Sequence, residues 1–325
     1  MAGAMQAMLI GRAQRLHLQH GPIDLVIEAE IPQDPAARAA LFETARRAAA
    51  PLLEGLVAEL PGLRAAYDPA RRFSGPVARR MQAAASIAAP VFITPMAAVA
   101  GAVADQVLAA MLASDAARLA RKIWVNNGGD IAFHAAGGCS LSAVLAGLPD
   151  ARLRIPGGAG WAGMATSGRG GRSHSLGIAD SVTVLARHAA LADAAATLIA
   201  NAVDLPGHPA IQRRPANQLI PESDLGAREV VCSLGPLNHA EIATALQAGE
   251  REALRLLAAN PNMSDPNSAS PNNTSPAIGG AVLSLGGQIR VIGLAQKSTA
   301  SGLELAASAG GQETVKKPVK EPIYA

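Results

Sequence analysis

An α+β fold with mostly antiparallel sheets and packed helices is the class this sequence predicts. Two observations carry that expectation. Strand-like segments come in runs joined by short turns, and helical segments come in pairs, so the strict β-α-β alternation of a parallel sheet is absent. The composition also calls for a sizeable core. A chain of 325 residues, 50% hydrophobic and 16% charged, is globular and long enough for one large domain or two smaller ones.

Residues 15–20 and 23–30 alternate apolar and polar side chains around His20-Gly21-Pro22, which predicts a β-hairpin. Residues 32–60 carry helical spacing, with Leu41, Ala45, Ala48, Leu52 and Leu56 on one broad apolar face. Residues 64–74 read as loop, and 76–88 and 95–113 as two further helices, the second Ala-rich and buried. Strands are expected at 122–126 and 130–135 around the turn-prone Asn127-Gly128-Gly129, then near 140–145, 162–166 and 181–186. Residues 189–203 are helical, 205–224 a loop, 228–234 a strand, and 238–259 a helix capped by Asn238. Residues 281–285 and 288–293 close the fold as a hairpin around Gly286-Gly287. Residues 260–277 have the low-complexity polar character of a linker, and 295–325 read as a flexible tail. The expected domain is therefore 1–259 plus 278–294.

Aromatic residues make up only 2%, so the core must rest on Ala, Val, Leu and Ile. With so few rings to stack on bases, no long basic run and a net charge of only +3, nucleic acid is a poor partner. No apolar run approaches ~20 residues, so no membrane span is expected. Cys139 and Cys232 lie far apart without a CxxC spacing and read as free thiols. The first residues reach Arg12 before a secretory apolar core is complete, so the expected location is cytoplasmic. Nothing in the sequence fixes an oligomeric state, and a homo-oligomer stays open.

The chemistry concentrates in residues 163–197, GMATSGRGGRSHSLGIADSVTVLARHAALADAAAT. Gly168, Gly170 and Gly171 can free backbone N–H groups to converge on an anion, and Arg169 and Arg172 add bidentate donors. Thr166 and Ser167 supply hydroxyls just before them. Asp193 and Thr197 fall one helical turn apart, with both oxygens on one face. That pair suits Mg2+, which takes one or two carboxylates together with phosphate oxygens. A phosphorylated ligand follows from the combination. The spacing of the glycines does not satisfy a GxGxxG dinucleotide fingerprint, and no nucleophile elbow or Ser-x-x-Lys supports a hydrolase.

Together with VNNGGDIAF at 125–133 and TPMAAVAGAVAD at 94–105, this segment resembles the ApbE superfamily of flavin-binding proteins, within it the UPF0280 branch. The resemblance runs from about Gly21 to Gly293. It implies a T-fold-like architecture, FAD and Mg2+ as cofactors, and a flavin nucleotide passed to a protein acceptor. It implies further that Asp193 and Thr197 are the magnesium ligands and that His174 is catalytic. Asn127, Gly128, Gly129 and Asp130 then stand beside the flavin nucleotide with residues 166–172. The connection from His174 to the next strand is shorter than in ApbE transferases, and no export signal is seen.

Each feature has a plainer reading. The Gly-Arg run can be an exposed loop, His174 a surface or hydrogen-bonded residue, and Asp193 a carboxylate favoured near a helix start. Asn127-Gly128-Gly129 can be no more than a hairpin turn. Three functions therefore stay open. They are an Mg2+-dependent transferase that cleaves FAD to FMN and AMP, a flavin or nucleotide binder without transfer, and an enzyme of unrelated chemistry on a phosphorylated metabolite.

Overall fold

The computed structural model describes residues 3–12, 14–171, 173–259, 278–294 and 304–307. The linker expected at 260–277, Arg172 and most of the expected tail lie outside the described residues.

Period-two burial builds the strands. The first three are β1 (Gln6–Ile10), β2 (Arg15–His20) and β3 (Ile23–Glu30). Every second residue of β3 is buried, from Ile23 to Ala29, with Asp24, Val26, Glu28 and Glu30 facing outward. Next come β4 (Lys122–Asn127), β5 (Asp130–Ala135), β6 (Ser140–Leu145), β7 (Leu148–Pro156), β8 (Gly163–Ser167) and β9 (Ser181–Ala186). They are followed by β10 (Ile211–Pro215), β11 (Glu229–Leu234), β12 (Ile278–Leu285), β13 (Gln288–Ile292) and β14 (Glu304–Ala307). Among the described residues nine strands form one antiparallel sheet, ordered β1-β2-β3-β4-β5-β8-β9-β12-β13. A three-stranded sheet, β14-β7-β6, and the pair β10-β11 complete the architecture. The α+β class with antiparallel sheets is thus what the chain adopts. Glu304–Ala307, inside the segment read as a tail, pairs with β7.

The helices are α1 (Pro35–Ala49), α2 (Leu52–Ala58), α3 (Leu60–Arg64), α4 (Pro76–Ala85), α5 (Val99–Leu112), α6 (Ala189–Ala202), α7 (Ala216–Leu219) and α8 (His239–Ala258). The single helix expected over 32–60 is divided into α1 and α2, with α3 beginning only at its last residue. Pro51 has no N–H for the helix ladder, and the chain restarts after it. Asp34 caps α1 by accepting from Ala37 N at 2.8 Å. Asn238 and Glu241 form a reciprocal capping box on α8.

One face of the nine-stranded sheet buries Leu16, Leu18, Leu25, Ile27, Ile123 and Val125 beneath the helices. The other face, around Phe133, Met164, Leu185 and Val282, packs against Leu145, Leu153 and Ile155 of β6 and β7. This double cover explains why all six residues of β9 and all eight of β12 are buried. The apolar stretch from Pro95 to Leu112, mean hydropathy 1.5, is more than half buried inside the fold. Its α5 portion packs on α1, α4 and α6, as a core helix does.

Candidate functional site

Small residues let α5 and α6 cross closely. A Cβ added at Gly101 would fall 2.3 Å from the backbone oxygen of Ala189, so this crossing admits only glycine. Two carboxylates tie the helices in opposite directions. Asp105 of α5, buried, accepts from Ala189 N and Ala190 N of α6, both at 2.9 Å. Asp193 of α6 accepts from Gly101 N of α5 at 3.0 Å through Oδ2. Burial pushes the Asp193 carboxyl well above the usual carboxylate range, and the neighbouring charge of Asp130 adds to the rise; the N–H groups of Gly101 and Ala100 oppose it. The Asp105 carboxyl is also raised by burial, against the pull of His188 and of the two N–H groups it accepts.

Around Asp193 the structure gathers four segments. Thr197, one turn further along α6, places its hydroxyl 3.5 Å from the Ser167 hydroxyl at the end of β8. Asp130, which opens β5, accepts from Thr166 N at 3.2 Å, while the Thr166 hydroxyl meets that of Thr183 at 2.8 Å. The buried Asn127 donates from Nδ2 to Ala100 O at 3.1 Å and accepts from Asp24 N at 3.3 Å. Its side chain therefore holds the start of α5 against β4. Gly128 and Gly129 are a two-residue turn with φ of +66° and +120°, closed by Gly129 N donating to Asn126 Oδ1 at 2.8 Å. Asp193, Thr197, Ser167, Thr166, Asp130 and Asn127 thus share one neighbourhood.

The glycine loop is built otherwise than the sequence leads one to expect. Its N–H groups turn back on the chain: Arg169 N donates to Ala179 O, Gly170 N to Asp180 O and Gly171 N to Gly168 O. The Arg169 guanidinium pairs with Asp180 at 2.7 Å, and Asp180 also accepts from Gly286 N at 2.7 Å. Gly168, at φ +137°, lies so close to Asp180 O that a Cβ would come within 2.8 Å. Two of these amides staple the loop to residues 179–180 and the third closes the loop on itself, while Arg172 lies outside the described residues.

His174, half-buried, makes no hydrogen bond or ion pair among the described residues. The segment that follows it is held at the far end of α6. Leu176 N donates to Asn201 Oδ1 and Ile178 N to Val203 O, while Arg213 donates to Leu176 O. Asn201 stands about 12 Å along the helix axis from Asp193, and among the described residues no hydrogen bond joins His174 to the Asp193 group. A cavity of about 600 Å3 opens near that end, lined by Asp204, His208, Ile211, Arg213 and Glu229 among others. It shares no residue with the Asp193 group; within it Arg213 pairs with Asp204, and His208 Nε2 lies 3.3 Å from a carboxylate oxygen of Glu241.

The donor set at Asp193 fits a small hard cation. One carboxylate and two hydroxyls, beside a second carboxylate, offer oxygen only, and the like charges of Asp193 and Asp130 are what a divalent cation offsets. Among the described residues no group of three or more His, Cys, Asp or Glu converges.

Sequence reasoning did not single out Asp105 and Gly101. A signal for Asp105 was there: a lone acid inside the apolar VAGAVADQVL must find hydrogen-bond partners when buried.

A family model described as AbpE bacteria matches residues 6–262. The chain belongs to this AbpE family. Membership bears out the resemblance read from NNGGD, the glycine–arginine loop and the Asp193 helix. Similar relatives of the AbpE chain include UPF0280 proteins. One from Archaeoglobus fulgidus is 35% identical over 46% of this chain and 60% of its own length. Another from Methanopyrus kandleri is 39% identical over 46% of this chain and 59% of its own. The chain therefore spans about half to three fifths of the length of the relatives it matches. The crystal structure of apo Pseudomonas stutzeri flavinyl transferase ApbE aligns over 63% of this chain and 86% of its own, at 11% identity and a TM-score of 0.39.

Proposed function

We propose that this AbpE-family protein binds FAD together with Mg2+ at the Asp193 group and transfers FMN from it, releasing AMP. The observation that carries the reading is the pairing of Asp193 and Thr197 on one face of α6, against Ser167 and beside Asp130. Asp193 and Thr197 would hold the cation. When bound, Mg2+ neutralises charge on pyrophosphate oxygens. Asp130 fixes the Thr166 amide, and Asn127 fixes the entry to α5, so the walls of the site are rigid before a ligand arrives. In the transfer the pyrophosphate bond breaks, FMN joins an acceptor hydroxyl, on a protein threonine or on water, and the hydroxyl proton must be taken up. His174 is the residue proposed for that proton.

A second reading, flavin or nucleotide binding without transfer, is favoured by two specific observations. The Arg169 guanidinium is paired with Asp180, and the chain after His174 packs at the opposite end of α6 from Asp193. Titration calorimetry with FAD, FMN, AMP and ADP, each with and without Mg2+, tests both readings. Mg2+-dependent FAD binding is expected, and uniformly absent binding removes both. Chromatographic detection of AMP from FAD then separates them.

A further inference from the structure

We propose that Asp105 is a positioning residue for the cation site: its carboxylate clamps the first turn of α6 onto α5 and so sets the place of Asp193 and Thr197. This rests on the functional reading above. The start of α6 has an unusual cap. His188 occupies the N-cap position, yet its side chain makes no capping hydrogen bond. The first two amides of the helix are instead taken by Asp105, a carboxylate from another helix more than eighty residues earlier in the chain. A local cap would satisfy an amide of the same turn, that of Ala190 or Leu191, while tying α6 only to itself. Asp105 ties it to α5, and Asp193 returns the tie four residues later through Gly101 N.

The same turn is pinned from a third side. A Cβ at Gly163, which opens β8, would fall 2.1 Å from Ala189 N, so β8 also abuts the start of α6. The far end of that five-residue strand carries Ser167, against Thr197. Residues 189–192 are therefore wedged between α5 and β8 by the Asp105 clamp, and Asp193 is the next residue along. Asp105 makes no hydrogen bond to Asp193 or Thr197; apart from the repulsion between its charge and that of Asp193, its effect on a bound cation passes through the helix it holds. Groups that orient ligands in this way typically change metal affinity by about 10- to 100-fold when removed.

The test uses the full chain and Mg2+ as the probe, with calorimetric affinity measured well below the melting transition and circular dichroism checking the fold. Asp105→Asn is expected to lose at least about tenfold in Mg2+ affinity. A double variant, Asp105→Ala with His188→Ser, gives α6 a local serine cap. It is expected to recover melting temperature over Asp105→Ala alone while keeping the affinity loss. A purely structural cap makes the opposite forecast, with affinity restored together with stability. Mg2+ affinity within twofold of the unaltered chain in Asp105→Asn or in the double variant overturns the inference. Loss of binding in Asp193→Ala alongside normal binding in the Asp105 variants overturns it while leaving the functional reading standing. An unaltered chain that binds no Mg2+ removes both.

Discussion

Asp193 is the residue on which a structural and a functional role can be told apart. As a cap for α5 it needs only an oxygen facing Gly101 N; as a cation ligand it needs a negative charge. Asp193→Asn keeps the oxygen and removes the charge. It also removes the burial cost and the repulsion from Asp130 that hold its carboxyl above the ordinary range. The variant is therefore expected to melt at or above the temperature of the metal-free parent while losing Mg2+-dependent FAD affinity by at least about tenfold. Thr197→Val should lose less, because water can replace a neutral hydroxyl. Unchanged FAD affinity in Asp193→Asn would rule out the cation role. At this scale the pair on α6 was legible from its spacing, since residues four apart share a helix face whatever surrounds them. The fate of Arg169 was not. A sequence shows a guanidinium beside glycines, but its pairing with Asp180 depends on how the turn folds back.

At the scale of elements, the α5–α6 crossing is the part that local pattern could not show. Periodicity marks both helices and most strands, because burial on one face is written in the spacing of Leu, Val and Ala. It places β1 and β10 poorly, since Gln6–Ile10 is almost wholly exposed and Ile211–Pro215 buries no residue fully. A crossing is a tertiary fact, and only Gly101 hints at it. Gly101→Ala is expected to push the helices apart, because its Cβ would meet backbone, which cannot rotate away as a side chain can. A stability loss of about 1–3 kcal/mol in urea melts should follow, together with weaker Mg2+ binding. Asn238→Ala supplies the contrast. Breaking the α8 capping box should cost about 1 kcal/mol and leave Mg2+ affinity unchanged, since α8 carries none of the site residues. Equal losses of affinity in the two variants would mean that the site follows global stability and not the crossing.

Across the whole molecule, the two tied carboxylates leave a mark on how stability depends on pH. Burial raises Asp193, with Asp130 adding to it, and burial raises Asp105 against the pull of His188 and two amides. Both groups hold protons in the fold at pH values where the unfolded chain, near the ordinary Asp value of about 3.9, has released them. The native state then binds more protons than the unfolded one, so unfolding free energy falls as pH rises through that window. The stabilisation is fully present below about pH 4 and is lost as pH climbs through the folded values. Glu241 runs the other way: the Asn238 amide and His208 hold its carboxyl low, so its contribution is lost on acidification. From these two groups the metal-free chain is therefore expected to lose melting temperature as pH rises above the ordinary Asp range. Mg2+ should reverse much of the loss at the higher pH, because it binds the ionised Asp193 and replaces the missing proton as a counter-charge. Asp193→Asn should flatten the profile in part, leaving the slope due to Asp105, and should abolish the Mg2+ rescue. Thermal melts at several pH values, with and without Mg2+, decide the matter. A metal-free melting temperature that climbs as pH rises above the ordinary Asp range, in the parent and in Asp193→Asn alike, would mean that Asp193 is ionised without penalty in the fold, and the electrostatic case for a cation there would fall with it.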